Sequence, residues 1–467
     1  MPNLWDAVVI GTGPAGLAFS ATAAGLGLQV LAIDEQPSPG GQIYRNIEQQ
    51  TGQGLDLLGA DYRHGLGLIK KFRDSGAAYL PGATVWKIEA DGRLAYSSKG
   101  RLGEIRAKRI IIATGAMERP VPFPGWTLPG VIGVGAVDTL YKGAGIIPEG
   151  PVTMLGNGPL MLSVAIHLAA LGVRVAHFLE TTPRFSSLGA LHLLPRAVVS
   201  QPLYMLKGMG MLAKTAVIAR GVKRGVTSYA AAGSDQVETV RFTCRGREHA
   251  HDTRSVLVHE GIIPRSEFAR QLHLDHCWDP VQRYWYPRTD PFGRTSCDAV
   301  YVAGDGGFVH GAVAAEKKGA LAAIDVASDL KGHSREVRDE AAAPVLRALK
   351  HILGPRPFVD AAYKPRTDLY AMDDNTLVCR CEEITAQQIR SAVIQGMKTP
   401  EMVKSVTRCG MGPCQSRMCS PALAELIAAE TGQMMDEMTP VSIRPPVRNI
   451  CVGELTRMEF TDAPGGN

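Results

Sequence analysis

The stretch AVVIGTGPAG at residues 7–16 decides the fold class. Its four leading apolar residues are typical of a buried strand, and the glycines that follow keep the spacing Gly-x-Gly-x-x-Gly before an Ala- and Leu-rich helical segment. Gly11 permits a tight turn, Gly13 lets the backbone approach a pyrophosphate, and Gly16 allows the helix to pack closely on the strand. Because a helix N-terminus attracts anions, the stretch predicts a site for a dinucleotide or a related adenine nucleotide.

Three later segments extend this site. Asp34 ends the next strand, where its carboxylate is placed to accept hydrogen bonds from an adenosine ribose. The stretch IIIATG at residues 110–115 predicts a buried strand that turns at a small-residue end. The stretch YVAGDG at residues 301–306 predicts a strand whose terminal glycine exposes the Asp305 carboxylate. Together with the first motif, these segments favour a nucleotide-binding domain over a set of unrelated turns.

The strand–glycine–helix unit recurs in degraded form at residues 151–180. Gly156 and Gly158 are present, but Met161 occupies the third glycine position, where its side chain would lie between helix and strand. Glu180 would suit a ribose 2′-hydroxyl and would repel a 2′-phosphate. We therefore expect a Rossmann-like unit retained for packing, with NAD binding as the alternative and NADP as the poorer fit.

Length, charge and hydropathy bound the class of protein. The 467 residues exceed the size at which one hydrophobic core stops growing, so two or three domains are expected. The 50 basic residues nearly balance 45 acidic ones without a long Lys/Arg block, which argues against nucleic-acid binding. No apolar run approaches the roughly 20 residues that cross a bilayer, and the N-terminus lacks the features of a signal peptide. These features predict a cytoplasmic protein without a transmembrane segment.

The pattern predicts an α/β fold with two Rossmann-like domains, the second inserted in the first, and a small α-rich domain. The expected boundaries are 1–119 and 266–335 for the first domain, 120–265 for the second, 336–375 for a linker, 376–425 for the small domain and 426–467 for a C-terminal tail. The segment 184–225, rich in Leu, Met and Gly, is expected to be a helical excursion packed on its own domain. A partner-facing or lid segment is the alternative.

Five of the nine cysteines lie between residues 379 and 419, which in a reducing compartment favours metal ligation over disulfides. Cys379 and Cys381 form a Cys-x-Cys pair, and Cys409, Cys414 and Cys419 follow a helical segment. Four thiolates can ligate a [2Fe–2S] cluster or a structural zinc ion. Because Cys409 and Cys414 have the same spacing as Cys414 and Cys419, spacing alone leaves both ligand sets open.

The order of the glycine motifs resembles the flavoprotein superfamily of glutathione and thioredoxin reductases, over about residues 5–330. In that superfamily an Asp like Asp305 hydrogen-bonds the ribityl chain, and a Gly-Gly-Gln run like 40–42 lies beside the cofactor. The resemblance implies FAD, although ATP or NAD would suit the first motif equally well. The implied binding residues are Gly11, Gly13, Pro14, Ala15, Gly16, Asp34, Glu35, Gly41, Gln42, Arg45, Thr114, Gly115, Gly304, Asp305 and His310.

The cysteine order resembles the bacterioferritin-associated-ferredoxin-like domain in the versions that are fused to flavoproteins. Position 409 is often not Cys in that pattern. The resemblance therefore implies a [2Fe–2S] cluster rather than zinc, and it implies that Cys409 is the spare thiol. The implied ligands are Cys379, Cys381, Cys414 and Cys419.

Further segments look like the A (alpha) subunits of opine oxidases, the middle subunit of hydrogen cyanide synthase, and the alpha subunits of hydroxyproline and proline dehydrogenases. They are DEQPSPGGQIYR at 34–45, HEGIIP at 259–264 and AGDGGFVHGA at 303–312. In that family a separate FAD subunit of the D-amino-acid-oxidase type oxidises the amine or imino acid. The resemblance thus implies that this chain is one subunit of an oxidoreductase that acts on CH–NH or CH–NH2 donors. It also implies that this chain accepts electrons from the FAD subunit.

The same resemblance implies FMN near the subunit interface and leaves room for peripheral membrane association and for a small ferredoxin-like subunit. We find no Arg/Tyr constellation that would build a carboxylate-binding substrate pocket, so no catalytic residue is assigned. The alternatives are a self-contained NAD(P)H-dependent flavin reductase and a non-catalytic scaffold subunit stabilised by its cofactors.

Overall fold

The computed structural model describes residues 4–183, 189–219 and 221–456. Its helices span Pro14–Gly25, Gln53–Asp74, Val134–Ala144, Pro159–Ala170, Leu194–Ser200, Pro202–Ile218, Glu267–Gln271, Ala312–Leu330, Arg335–Ile352, Arg356–Ala362, Ala386–Ile394, Pro400–Thr407, Ser420–Thr431 and Val452–Leu455. Among the described residues, no helix is both long enough and apolar enough to cross a membrane.

The first glycine motif joins the first strand of a parallel sheet to the first helix. The strand Trp5–Ile10 is buried because its neighbours cover both faces, and Val8 and Val9 have no exposed surface. The helix Pro14–Gly25 begins with Pro14, where the missing N–H would have had no helical partner. The strand Val30–Asp34 then returns parallel to the first.

This first sheet continues on both sides of the Trp5–Ile10 strand. Its strand order is Ala78–Pro81, Val30–Asp34, Trp5–Ile10, Arg101–Ile112, Arg93–Ser98 and Ala83–Ile88, and Val300–Val302 also pairs with Arg101–Ile112. The strands that pair in parallel end at one edge, where the glycine motif lies. Ligands of open α/β sheets bind outside this carboxyl edge.

A second parallel sheet is formed by a segment inserted before Val300–Val302 returns to the first. Its strand order is Gly221–Arg224, Val175–Glu180, Val152–Asn157, Val256–Glu260 and Val131–Gly133. An antiparallel sheet of Val226–Ala232, Thr239–Cys244 and Arg247–Asp252 lies within the same segment. Short antiparallel pairs join Ala116–Glu118 to Ile262–Pro264, His276–Asp279 to Tyr284–Pro287, and Leu377–Cys379 to Ile384–Thr385. The predicted α/β class with an inserted second Rossmann-like unit is confirmed.

The helix Ala312–Leu330 packs directly on the first helix. Their contact is close because Gly319 carries no side chain: a Cβ there would lie 2.1 Å from the carbonyl oxygen of Ala15. This contact fixes the two glycine turns, one before each helix, against each other. The nucleotide motif therefore rests on a rigid helix pair.

The segment expected as a linker, 336–375, contains most of the helix Arg335–Ile352 and all of Arg356–Ala362. The segment has many charged residues and contains Pro344, and these features obscure apolar residues that recur at helical intervals. Ala342, Val345, Leu346 and Leu349 recur at intervals of three and four residues and pack on Leu321 and Ile324. Burial of this stripe explains the helix.

The small domain packs three helices around the cysteine segment. Ala386–Ile394 begins with a capping box between Thr385 and Gln388, which satisfies backbone N–H groups at the helix start. The last helix, Ser420–Thr431, continues past the expected domain end at 425. Arg283 of the large body pairs with Glu425 on this helix, so the small domain is docked by an ion pair that is mostly buried.

Candidate functional site

A cavity of about 240 Å³ lies along the carboxyl edge of the first sheet. It is bordered by the first glycine motif, the end of the second strand and the turn after residue 112. Of the residues predicted to bind a nucleotide, those lining the cavity are Gly11, Gly13, Pro14, Ala15, Asp34, Glu35, Gly41, Gln42, Arg45, Thr114, Gly115 and Asp305. Gly16, Gly304 and His310 do not line it.

The glycines of the cavity leave bare backbone where a pyrophosphate must approach. A Cβ on Gly41, which has φ +62°, would lie 2.8 Å from the Cα of Gly13, so the two glycine turns face each other. Gly16 has a packing role: its Cβ would lie 1.9 Å from the carbonyl oxygen of Gly11. The residues present fit an adenine dinucleotide, with the N-terminus of the first helix at the cavity wall.

Asp34 holds the glycine turn instead of presenting an open carboxylate. One of its oxygens accepts hydrogen bonds of 2.6 Å from both the backbone N–H and the hydroxyl of Thr12, and the other accepts from the backbone N–H of Gln36 at 2.8 Å. Burial raises the pKa of Asp34. Glu35 is 43% exposed at the cavity, so Glu35 is better placed than Asp34 to accept from a ribose.

Two arginines that were not predicted from the sequence, Arg265 and Arg448, also line the cavity. Arg265 directly follows the HEGIIP stretch, so its place beside this family-like segment could have indicated it. Arg448 lies in the C-terminal tail, more than 400 residues after Glu35, and only the folded chain brings the two together. Arg45, which was predicted, donates a 2.9 Å hydrogen bond to the side chain of Gln36.

Asp305 organises the turn that precedes the helix Ala312–Leu330. Its carboxylate accepts hydrogen bonds from the backbone N–H groups of His310 and Gly311 at 2.8 and 3.0 Å. Burial lowers the pKa of His310 to about 2, which leaves the imidazole neutral at physiological pH. The His310 ring packs 4.8 Å from the Phe308 ring, centre to centre, just beyond the nucleotide cavity.

The loop that carries His310 is held by two partly buried cations. The ammonium of Lys318 donates to the carbonyl oxygen of Phe308 at 2.9 Å, and Arg356 donates to that of Val309 at 3.2 Å. Burial lowers the pKa of Lys318 to about 8. Arg356 belongs to the segment expected as a linker, so this segment helps to position the loop.

The second Rossmann-like unit has little room for a nucleotide. The space at Gly158 holds the His259 ring, whose atoms would lie 3.2 Å from a Cβ on Gly158. The Asn157 side chain donates to the carbonyl oxygens of Tyr363 and Lys364 at 3.1 and 3.2 Å. The remaining cavity is about 20 Å³, and Tyr363 lines it together with Met161. The chain's own side chains therefore fill this position.

Three of the cysteines form a buried thiol cluster. The sulfurs of Cys379, Cys409 and Cys419 all lie within 4.8 Å of one another. Hydrogen bonds from the other two thiols lower the pKa of Cys379 to about 2, which favours its thiolate. Cys381, which is exposed, and Cys414 lie within hydrogen-bonding reach of each other beside this group.

Cys409, the expected spare thiol, lies within the buried thiol cluster. The chain turns at Gly410, which has φ +91°, and the Ser416 hydroxyl donates to the Gly410 carbonyl oxygen at 3.0 Å. This turn directs Cys409 inward, and its side chain is fully buried. The five thiols fit a metal group with four thiolate ligands. Because Cys409 and Cys419 both lie beside Cys379, either of them could supply the fourth ligand.

A smaller cavity of about 50 Å³ separates the nucleotide cavity from the cysteines. Met117 lines both cavities. Arg270 and Ser420, the latter adjacent to Cys419, also border the smaller one. The smaller cavity thus links Met117 of the candidate nucleotide site to Ser420 beside the thiol cluster.

Residues 5–327 match the family model of pyridine nucleotide-disulphide oxidoreductases. The chain belongs to this family. Residues 377–429 match the BFD-like [2Fe-2S] binding domain. The chain is therefore an oxidoreductase with a flavin-type Rossmann fold and a [2Fe–2S]-binding domain.

Two curated relatives match nearly the whole chain. The opine oxidase A subunit of Agrobacterium tumefaciens is 36% identical over 99% of this chain and 93% of the relative. The hydrogen cyanide synthase subunit HcnB of Pseudomonas protegens is 30% identical over 91% of this chain and 92% of the relative. The resemblance to the A subunits of opine oxidases is confirmed.

A solved structure supports the fold. L-proline dehydrogenase from P. horikoshii superimposes with a TM-score of 0.72 at 18% identity, over 97% of this chain and 80% of that chain. The similarity extends through both Rossmann-like units and the small domain, because it covers almost every residue of this chain.

Proposed function

We propose that this chain is the electron-transferring flavoprotein and iron–sulfur subunit of a hetero-oligomeric dehydrogenase or oxidase. Its substrate class is an amino acid, an imino acid or an opine. A separate FAD subunit of the D-amino-acid-oxidase type oxidises this substrate, and the present chain receives the electrons. The relatives named as subunits of opine oxidase and hydrogen cyanide synthase support a chain that works together with partner subunits.

The observation that carries the proposal is the shared border of the two candidate sites. Met117 lines the nucleotide cavity and also the smaller cavity that reaches Ser420 beside the thiol cluster. A bound flavin exchanges electrons in pairs and a [2Fe–2S] cluster exchanges them singly, so the combination suits a relay. The docking of the small domain by Arg283 and Glu425 keeps the two sites at a fixed distance.

We assign FAD to the first nucleotide site. Its glycines leave the backbone open, Glu35 is placed to accept from the ribose, and Asp305 fixes the turn at the far end of the cavity. The second unit supports no nicotinamide nucleotide, because His259 and Tyr363 fill the position. A partner subunit is then the source of electrons.

We further propose that FMN binds near the interface with the partner. The loop beyond the nucleotide cavity carries the half-buried Phe308 and His310, and Val313, in the first turn of the next helix, is 48% exposed. The nitrogen Nδ1 of His310 is buried and has no hydrogen-bond partner among the described residues. These groups would meet an aromatic cofactor or a partner at this surface.

The test is to purify the chain together with the products of its genomic neighbours, and then to extract and identify flavins, nucleotides and metals. We expect FAD, FMN, and iron with acid-labile sulfide. A preparation that contains zinc instead of iron, or neither flavin, would contradict the proposal.

A further inference from the structure

The residues 440–448, here called the C-terminal strap, cross from the small domain to the first sheet. Val441 is buried in the core of the small domain, whereas Ile443 and Val447 are buried in the core of the first sheet. This part of the C-terminal tail thus runs from the small domain onto the large body. The strap is therefore a packed structural segment that joins the two candidate sites.

Hydrogen bonds fix the strap at the small-domain end. The backbone N–H of Ser442 donates to the Glu401 carboxylate at 2.9 Å. The side-chain amide of Gln415, in the loop between Cys414 and Cys419, donates to the carbonyl oxygen of Pro446. The strap thus contacts the loop that supplies two of the predicted metal ligands.

Hydrogen bonds also fix the strap on the first sheet. The backbone N–H of Val447 donates to the carbonyl oxygen of Trp86, in the strand Ala83–Ile88, at 2.8 Å. At the other end of the strap, Nε of Arg270 in the helix Glu267–Gln271 donates to the carbonyl oxygen of Val441 at 2.7 Å. Trp86 directly follows the cavity-lining residues Ala83–Val85. The strap consequently ends at the same part of the cavity as Glu35.

Arg448 extends from the end of the strap into the nucleotide cavity. Its side chain is 13% exposed, and its nitrogens lie 3.9 Å from the carboxylates of both Glu35 and Glu267, too far for a hydrogen bond. One N–H group donates to the carbonyl oxygen of Val447 at 3.1 Å. A guanidinium has five N–H donors, so this arrangement leaves donors for a ligand.

We infer that Arg448 is a nucleotide-binding residue, and that the strap closes the adenosine end of the first site. Its guanidinium donates hydrogen bonds to the adenosine moiety beside Glu35, which accepts from the ribose hydroxyls. This chemistry is shared by FAD, ATP and NAD. Release of the nucleotide then requires the strap to lift away from the first sheet. The inference rests on the proposed nucleotide site and names a residue that completes it.

The test compares Arg448→Ala with Arg444→Ala, because Arg444 lies on the same strap but is exposed. Each protein is stripped of nucleotide, and the equilibrium dissociation constants of FAD and ATP are measured in separate titrations. We expect Arg448→Ala to bind the preferred nucleotide at least about tenfold more weakly, the effect of one lost charge-assisted hydrogen bond, and Arg444→Ala to match the parent. Arg448→Lys should recover part of the affinity, since it keeps the charge.

The outcomes separate this inference from the proposed nucleotide site. A parent that binds neither FAD nor ATP contradicts the site itself. A different outcome concerns Arg448 alone. If the parent binds nucleotide, and Arg448→Ala and Arg444→Ala have the same affinity and the same rate of nucleotide release, the role of Arg448 is overturned. If Arg448→Ala melts at a lower temperature than the parent, Arg448→Met decides, because it keeps an apolar side chain of similar length and removes the charge: affinity of Arg448→Met equal to that of the parent would likewise overturn the role of Arg448.

Discussion

The adjacent carboxylates Asp34 and Glu35 have different surroundings and should respond differently to neutral substitution. Asp34→Asn replaces one acceptor oxygen with an NH2 group, which cannot accept the hydrogen bonds from Thr12 or that from Gln36, so the free energy of unfolding should fall by about 1–3 kcal/mol. Glu35→Gln should leave thermal unfolding unchanged and weaken nucleotide binding. Thermal unfolding and nucleotide titration of both stripped proteins measure this. Equal affinity of Glu35→Gln and the parent would count against its contact with the ribose.

The cysteine ligand set is decided by single substitutions. Cys381 and Cys414 lie together, and Cys379 lies with both Cys409 and Cys419, so the structure reduces the choice to the last two thiols. We predict that Cys409→Ala retains the iron content and visible spectrum of the parent, whereas Cys414→Ala and Cys419→Ala lose the cluster, because three thiolates leave one iron coordinatively open. Loss of the cluster in Cys409→Ala with its retention in Cys419→Ala would reverse the assignment.

His310 provides a test of the surface beyond the cavity. We expect His310→Ala to lower flavin content or turnover of the assembled enzyme, because the ring packs on Phe308 at the end of the nucleotide site. Val337→Ala is the control, since it removes an exposed apolar side chain from a different helix, Arg335–Ile352. Flavin content and turnover equal to those of the parent would remove any role for His310.

At the scale of the elements, the second Rossmann-like unit should be inert toward nicotinamide nucleotides. We predict that neither NADH nor NADPH reduces the flavin at a useful rate, and that Met161→Gly does not create NAD binding, because the His259 ring and Tyr363 still fill the position. Stopped-flow absorbance at the flavin band measures the reduction. Rapid bleaching by either nucleotide would contradict the relay.

The helices and strands show which sequence patterns are sufficient to predict an element. The glycine motifs predicted both Rossmann-like units, because their spacing reflects a backbone geometry that few other residues can adopt. The helix Arg335–Ile352 was not predicted, since its apolar stripe is interrupted by charges and Pro344. Its stability comes from packing on Leu321 and Ile324, which composition does not report.

The site was predicted in part for a similar reason. Local motifs located the glycines, Asp305 and the cysteines. The contrast between Asp34 and Glu35 depends on the Thr12 hydrogen bonds, and the inward position of Cys409 depends on the turn at Gly410. Contacts of this kind depend on the folded chain, and the residue types that make them do not by themselves predict the contact.

At the scale of the whole molecule, the chain places one nucleotide cavity beside a thiol cluster and closes the second nucleotide position. Buried contacts join the domains on two sides: Trp126 donates a 2.7 Å hydrogen bond to the carbonyl oxygen of Leu377, and Arg283 pairs with Glu425. Such docking suits a fixed path between two electron carriers.

The most direct test of this account is an anaerobic absorbance measurement on the copurified complex and on this chain alone. Opines, proline and hydroxyproline are added in turn to each. We predict that a substrate bleaches the flavin and iron–sulfur absorbance of the complex, and that none changes the spectrum of this chain without its partner. Bleaching of the isolated chain by such a substrate would contradict the relay, as would a complex whose iron–sulfur absorbance stays constant while its partner's flavin is reduced.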